Sequence, residues 1–411
     1  MKQEPLLLSA LDVASSKTAM LICERNIDGS LTLIGFGEAR TDGVERGNIT
    51  NLEKVVKSIQ KAVRDAETMA NVRIDSVSTS VSGEHIRCIQ SRGVHPVASG
   101  EKGEITREDV EKVIEAAQAV AVPSDSEIVD CIAQSFVVDG QEGIKDPIGM
   151  TAVRLEVDAT VITAGKTQLE NIRHSVARSE LSVSDTFVGI EASSVATLTP
   201  EERDMGVAVV DIGAGLTQTA VFLGGKMKFI HIFGYAGNSV TKDIAAGCVL
   251  PFEQAEKLKL EHGDLLIPPD NQENIDIPGI AGREPRKIKK LFLGEIIEAR
   301  FEEIFSFVKE ALEKQNLYNK LITGIVLTGG SSQMPGIVPF AERFFGLPVR
   351  IGFPARLGGM SNLVNAPAYS SSVGTVLLSS SFAGEKQSAS GKGEGERGLL
   401  GVLTKWLKKK F

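Results

Sequence analysis

One pattern in this chain is written twice. Residues 6–22 read LLLSALDVASSKTAMLI and residues 206–223 read GVAVVDIGAGLTQTAVFL. In each, an apolar run of β character ends at an aspartate, Asp12 or Asp211. Small residues follow, then a threonine, then a second apolar run. A glycine in apolar surroundings recurs at the same spacing behind each aspartate, Gly35 and Gly234. This predicts a strand–turn–strand–turn–strand meander built twice, with glycine-bearing turns at 26–30 and 223–226. Two copies about 200 residues apart favour two domains facing each other across a cleft.

The tips of the first hairpins carry the chemistry. A turn of Gly, Ala and Ser lets backbone N–H groups approach a phosphate closely. An aspartate at the strand end would repel phosphate but can hold Mg²⁺ or its waters. The first tip comprises Ala14, Ser15, Ser16 and Lys17; the second comprises Gly213, Ala214, Gly215, Leu216 and Thr217. One such hairpin reads as an ordinary surface turn. Two facing copies would clamp one polyphosphate, with Asp12 and Asp211 as candidate Mg²⁺ ligands. A third glycine segment, LITGIVLTGGSSQMPGI (321–337), runs an apolar strand into Gly329, Gly330 and Ser331, with a helix expected near Met334. A Gly-Gly turn at a strand end lets a flat base or ribose lie on the backbone, and a helix N-terminus favours phosphate.

Other classes are disfavoured. Gly165-Lys166-Thr167 ends like a P-loop, but Thr160 stands where the first glycine belongs, so Lys166 is expected to begin a surface helix. Cys23, Cys88, Cys131 and Cys248 show no CxxC spacing and the five histidines are scattered, so neither a zinc site nor a disulfide framework is signalled. The net charge of −8 argues against nucleic acid as a partner. Glu4 and Asp12 flank and interrupt the only N-terminal apolar run, which excludes a signal-peptide pattern. No run approaches the ~18 apolar residues of a spanning helix. A cytoplasmic body is expected.

The C-terminal stretch GLLGVLTKWLKKKF (398–411) behaves differently. On a helical wheel Leu399, Leu400, Val402, Leu403, Trp406, Leu407 and Phe411 share one half, and Lys405, Lys408 and Lys409 the other. A helix of this length spans ~21 Å and is marginal alone in water. It would fold where its apolar face meets an interface. The preceding residues 383–397 are rich in Gly and Ser and carry no large apolar residue beyond that boundary, the composition of a flexible linker. A basic amphipathic helix with a tryptophan reads as an in-plane membrane anchor on an anionic surface. A partner groove is the alternative.

Taken in order, these segments resemble the actin-like ATPase superfamily. LDVASSKT is similar to its first phosphate loop, VVDIGAGLTQ to its second and LTGGSSQMPG to its adenosine loop. FVGIEASSVATLT (187–199) resembles the first connecting helix, with Glu191 where a side chain helps orient the hydrolytic water. YSSSVGTVLL (369–378) resembles the second, through Gly374. Within the superfamily the pattern is most similar to the FtsA family of bacterial cell-division proteins. SVSGEHIRCIQSRGV (80–94), GYAGNSVTKDIAAG (234–247), AEKLKLEHGDL (255–265) and GREPRKIKKLFLGEIIEARFEEIF (282–305) carry that likeness, together with the tail.

The resemblance implies an α/β, actin-like (RNase H-like) duplicated fold with an inserted subdomain. It places subdomain 1A at 5–82, 164–197 and 356–382, the inserted subdomain 1C at 83–163, subdomain 2A at 198–230 and 305–355, and the capping subdomain 2B at 231–304. It adds Gly237, Asn238, Glu256 and Lys259 to the residues expected around ATP or ADP with Mg²⁺. It also implies head-to-tail filaments, attachment to the cytoplasmic side of the membrane at the division site, and later division proteins binding 1C. The C-terminal peptide of FtsZ would meet 2B, where Arg286, Lys290 and Arg300 belong to a basic cluster.

The chain departs from the family pattern at Ala14, Ala214, Leu216 and Gln218, which stand where Gly, Gly, Thr and Asp are usual. Each lost neutral hydrogen bond costs ~0.5–1.5 kcal/mol. Binding tolerates that; positioning a water for phosphoryl transfer does not. Nucleotide binding with little or no hydrolysis is therefore expected. A small-molecule kinase of the same fold, or a pilus-assembly relative, are the rival readings.

Overall fold

The computed structural model describes residues 6–97, 103–119, 122–279 and 284–389, with side chains to residue 383. The membrane-type tail and the linker beyond 389 lie outside the described residues.

The duplication is a duplication of sheets. In the first half, strands Leu6–Val13, Lys17–Arg25 and Leu31–Arg40 form an antiparallel meander, and Ser76–Val81 then Ser182–Val188 add in parallel beyond the first strand. In the second half, Val207–Ile212, Thr217–Leu223 and Lys226–Phe233 form the meander, and Ile325–Thr328 then Val349–Ile351 add in parallel. The registers coincide: Asp12 faces Ala19, and Asp211 faces Gln218. Even the bulges match, between Ile22 and Cys23 and between Val221 and Phe222. An inherited bulge fixes a local twist that neither sequence alone announces.

The equivalence of Gly35 and Gly234 does not survive. Gly35 pairs with Ile22 in mid-strand, whereas Gly234 follows the end of Lys226–Phe233. The second turn differs in length, Asn26–Ser30 against Gly224-Gly225, so equal spacing no longer means equal place. Gly35 serves packing instead. A Cβ there would sit 2.5 Å from the Ala66 carbonyl oxygen, because helix Leu52–Ala70 lies directly on this strand. That helix is capped by Asn51 and ended by left-handed Asn71. It buries Val55, Ile59, Ala62, Val63 and Ala66, a period that fits one helical face.

Residues 87–165 build a separate four-stranded sheet, Arg87–Pro96, Arg154–Gly165, Ser126–Val138 and Gln141–Ile144 in spatial order. Helix Arg107–Gln118 packs on it and starts at a Thr106–Asp109 capping box, a polar pair three residues apart. Arg154–Gly165 is a strand, yet it is buried on both faces rather than alternating. One face meets the helix; Gln134, bonded to Thr160 on the neighbouring strand, donates to the Met227 carbonyl in the second half at 2.8 Å. Gln90 donates to Lys228 O (3.2 Å), and Lys226 Nζ bonds the carbonyls of Ala133 and Gln134. The inserted sheet is thus stitched to the edge strand of the opposite half.

Three expected boundaries fall inside elements: residue 164 lies within strand Arg154–Gly165. Residue 231 lies within strand Lys226–Phe233 of the second sheet, and 304 lies within helix Lys290–Lys314. The last helix, Ser370–Ala389, also continues through the first part of the stretch expected to be linker.

Candidate functional site

Two helices cross between the halves. Gly189–Thr197 leaves the first sheet and Ser370–Ala389 returns to it. They touch where Gly374 meets Ala192: a Cβ on Gly374 would lie 1.8 Å from the Ala192 carbonyl oxygen. Each helix carries a serine to the opposite aspartate. Ser193 Oγ donates to Asp211 Oδ2 at 2.6 Å, and Ser372 Oγ donates to Asp12 Oδ2 at 3.0 Å. Ser80 Oγ holds the other Asp12 oxygen at 2.9 Å. These serines were legible only as part of the connecting-helix segments; a serine within each segment was the available signal.

Above the crossing lies a cleft of about 1000 Å³. It is lined by Asp12, Ala14, Ser15, Ser16 and Lys17 from the first half, and by Asp211, Gly213, Ala214, Gly215 and Leu216 from the second. Gly237, Asn238, Glu256, Lys259, Gly329, Gly330, Ser331 and Met334 line it as well. Thr217 does not: it is buried, and its hydroxyl donates to the Tyr235 carbonyl at 2.7 Å. Neither Ala14 nor Ala214 has a positive φ, so the two lost glycines cost the backbone nothing at these tips.

The second tip is braced by the glycine loop and by the start of helix Gly237–Gly247. Gly237 N–H and Ser331 Oγ donate to Gly213 O (3.1 and 2.9 Å), and Asn238 N–H donates to Ala214 O at 2.7 Å. The glycine loop continues as a short 3₁₀ turn, Gly330–Gln333, and the helix begins at Ile337, slightly later than expected at Met334. Lys259 is buried and donates to Gly237 O, Thr241 Oγ1 and Glu256 Oε2. It organises the pocket wall.

Charge is concentrated at the tips. Burial lowers the Lys17 pKa, while Glu38, Asp12 and Asp211 pull it back up. Its ammonium lies 3.2 Å from the Tyr369 ring centroid and 3.6 Å from Glu38. Asp211 is pushed up to about 6, first by burial and then by Asp12, against the opposing Ser193 hydrogen bond and Lys17. Gln218 lines the cleft too, and its buried Oε1 has no hydrogen-bond partner among the described residues. Two carboxylates and an orphaned amide oxygen form an all-oxygen donor set that fits Mg²⁺ or its waters.

Other sequence expectations are placed elsewhere. Glu191 is buried in the first turn of its helix and is not among the cleft-lining residues; its charge acts on Arg203. Arg286 donates to the Cys248 carbonyl, Lys290 pairs with Glu273 at 2.9 Å, and Arg300 pairs with Asp243 and Glu303. Lys287 lies 3.9 Å from Asp276. Lys287, Lys290 and Arg300 thus each stand beside a carboxylate, while Arg286 bonds a backbone carbonyl. Lys166 starts helix Lys166–Ala177 and donates to Ser124 O at 2.7 Å, away from the cleft. All four cysteines are free, and no group of three or more His, Cys, Asp or Glu gathers among the described residues.

Comparison with known proteins agrees with this architecture. Residues 208–374 match the family model "Cell division protein FtsA", and residues 83–163 match "SHS2 domain inserted in FTSA". The chain is 36% identical to cell division protein FtsA of Neisseria meningitidis, covering 100% of both. It is 35% identical to that of Escherichia coli, over 98% of this chain and 96% of the relative. Among solved structures, the PilM–PilN type IV pilus biogenesis complex matches with a TM-score of 0.66 at 16% identity, over 91% of this chain and 99% of the other. MreB5 of Spiroplasma citri bound to ADP matches at 0.58 and 14%, over 93% and 98%. These structural likenesses establish the fold.

Proposed function

Because the chain belongs to the family of the bacterial cell division protein FtsA, we propose that it binds ATP between its two hairpin tips and carries FtsZ polymers to the inner face of the cytoplasmic membrane. The observation that carries the nucleotide reading is the convergence of both tips, both aspartates and the Gly329–Ser331 loop on one cleft. The tips offer backbone amides and the Lys17 ammonium to phosphate. Asp12, Asp211 and Gln218 would hold Mg²⁺, which supplies charge neutralisation for the phosphates. The Gly329–Ser331 loop and the wall around Lys259 fit the nucleoside.

Hydrolysis is slow in this reading. Leu216 puts a hydrocarbon where a hydroxyl would serve, and Glu191 does not line the cleft while its charge acts on Arg203. ATP then acts as a ligand that sets the relation of the two halves and favours head-to-tail assembly. The actin-type fold supports that reading, since a heterologous contact repeats into open filaments. The tail at 398–411 supplies one weak membrane contact per subunit, and a filament multiplies it by avidity. Downstream division proteins are assigned to the inserted subdomain, and the FtsZ peptide to the capping region near Arg286, Lys290 and Arg300.

Sedimentation with anionic vesicles and ATP tests the whole reading. Wild-type protein is expected to pellet with vesicles and form filaments visible by electron microscopy. Removal of residues 398–411, or Trp406→Glu, should leave filaments but abolish co-pelleting. Undiminished pelleting of both variants would overturn the anchor.

A further inference from the structure

A short strap crosses the mouth of the cleft between Arg40 and helix Leu52–Ala70. Its residues Val44–Glu45 and Asn48–Ile49 pair as a minimal hairpin, with Arg46 and Gly47 at the turn. Arg46 adopts a left-handed backbone, φ 48°, which costs a non-glycine residue about 1 kcal/mol or more. Such a conformation persists where the surroundings over-determine it. Three parts of the molecule do so here. The Arg46 backbone nitrogen lies against Gly215 of the second tip. Its side chain runs beside Gly234, whose N–H donates to Glu84 of the inserted subdomain at 3.1 Å. Its guanidinium sits 5.7 Å from the Tyr235 ring centroid.

Arg46 lines the cleft, is exposed, and makes no ion pair within 4.0 Å of a carboxylate among the described residues. Its closest charge-compensating contact among the described residues is the Tyr235 face, worth only ~0.5–1 kcal/mol at an exposed site, and the Glu84 carboxylate, beside Gly234 with it, stays beyond 4.0 Å. The opposite situation holds for Arg300, which shares the same ring but is neutralised by Asp243 and Glu303. Arg46 therefore keeps its charge available at the end of the cleft where the second tip has lost a hydroxyl at Leu216 and a carboxylate at Gln218. A planar guanidinium that carries five N–H donors is suited to the oxygens of a phosphoryl group. The elements read as the nucleoside side meet the second tip at Gly213 and Ala214, through Ser331, Gly237 and Asn238, leaving the Gly215 side for the distal phosphate.

We propose that Arg46 is the residue by which this cleft distinguishes a nucleoside triphosphate from a diphosphate: it exchanges the Tyr235 ring for the terminal phosphate. The proposal rests on the nucleotide-binding reading above. Because Tyr235 also contacts Arg300 and stacks on Phe307 (5.5 Å) of helix Lys290–Lys314, that exchange alters a contact on the capping subdomain as well.

Titration of the full chain with ADP and with a non-hydrolysable ATP analogue, both with Mg²⁺, tests this. Arg46→Ala is expected to weaken the triphosphate by roughly 10- to 100-fold, the range for a charge-assisted contact, and to leave ADP affinity within about twofold. Arg46→Lys should recover part of the triphosphate affinity, since it restores charge without the fork. An equal loss for both nucleotides, or no loss for either, overturns the assignment. If the wild-type chain binds neither nucleotide, the underlying reading itself fails, a distinguishable result. Thermal melting of the ligand-free variants separates a folding defect from a lost contact, and Arg46→Lys carries the test if Arg46→Ala melts early.

Discussion

The two hairpins share a backbone and differ in their tips. Asp12 faces Ala19 as Asp211 faces Gln218, so Lys17 and Leu216 hold equivalent places. Lys17 points a charged amine into the cleft, while Leu216 joins a hydrophobic core at the cleft wall. The first tip leans on Thr41, whose N–H donates to Ser16 O; the second is held by three donors, Gly237 N–H, Asn238 N–H and Ser331 Oγ. Asp12 is partly exposed and Asp211 is buried. Duplication copied the geometry that brings backbone amides together. Divergence then gave one tip the cation and the other the rigid seat.

The comparison can be broken at its base. Gly374→Leu would force the crossing helices apart and carry Ser193 and Ser372 away from both aspartates. A loss of roughly 3 kcal/mol, the upper part of the overpacking range, is expected. Calorimetry showing an unchanged melting temperature would refute the close crossing.

A second test asks whether the tips are interchangeable. Lys17→Ala should weaken ATP roughly 10- to 100-fold, as removal of a charge-assisted contact does. Adding Leu216→Lys in that background should not restore it, because position 216 is buried in the second core. Recovery of affinity in the double variant would show the tips to be equivalent.

The mildest test separates the aspartates by pH. A proton on Asp211 competes with the cation, and its pKa stands at about 6 instead of 3.8. Mg²⁺–nucleotide affinity is then full above that value and falls by up to about tenfold per unit below it. The ligand-free fold has the opposite sense. It binds the extra proton, so this group lowers stability as pH rises through that window. Asp211→Asn should flatten the acid limb of the affinity profile measured by titration calorimetry. An unchanged slope would assign the proton to another group.

Much of this was legible in the sequence because it is local. The hairpin tips, the glycine loop and the Thr106–Asp109 capping box depend on residues a few places apart, and spacing reports them. Gly35 and Gly234 misled because spacing along the chain is blind to turn length. For Glu191 and the basic cluster, spacing was silent on their surroundings, which are set by partners on other elements, such as Arg203, Asp243 and Glu273. Arg46 had a faint signal, a charged residue between Gly43 and Gly47, both of which have positive φ. Nothing in the sequence showed that it would rest against the second half.

The seam between Lys226 and the inserted sheet has a mechanical consequence. The inserted sheet is sewn to the second half by Lys226, Gln90 and Gln134 onto backbone carbonyls, away from the cleft-lining residues. The cleft itself is bridged by Arg40 and Glu253, an exposed ion pair at 2.6 Å. Exposed pairs are worth little and are screened by salt. Of these joints the exposed Arg40–Glu253 pair is the cheapest to undo. If the cleft holds a nucleotide as proposed, its release rate should rise with ionic strength as the Arg40–Glu253 pair is screened.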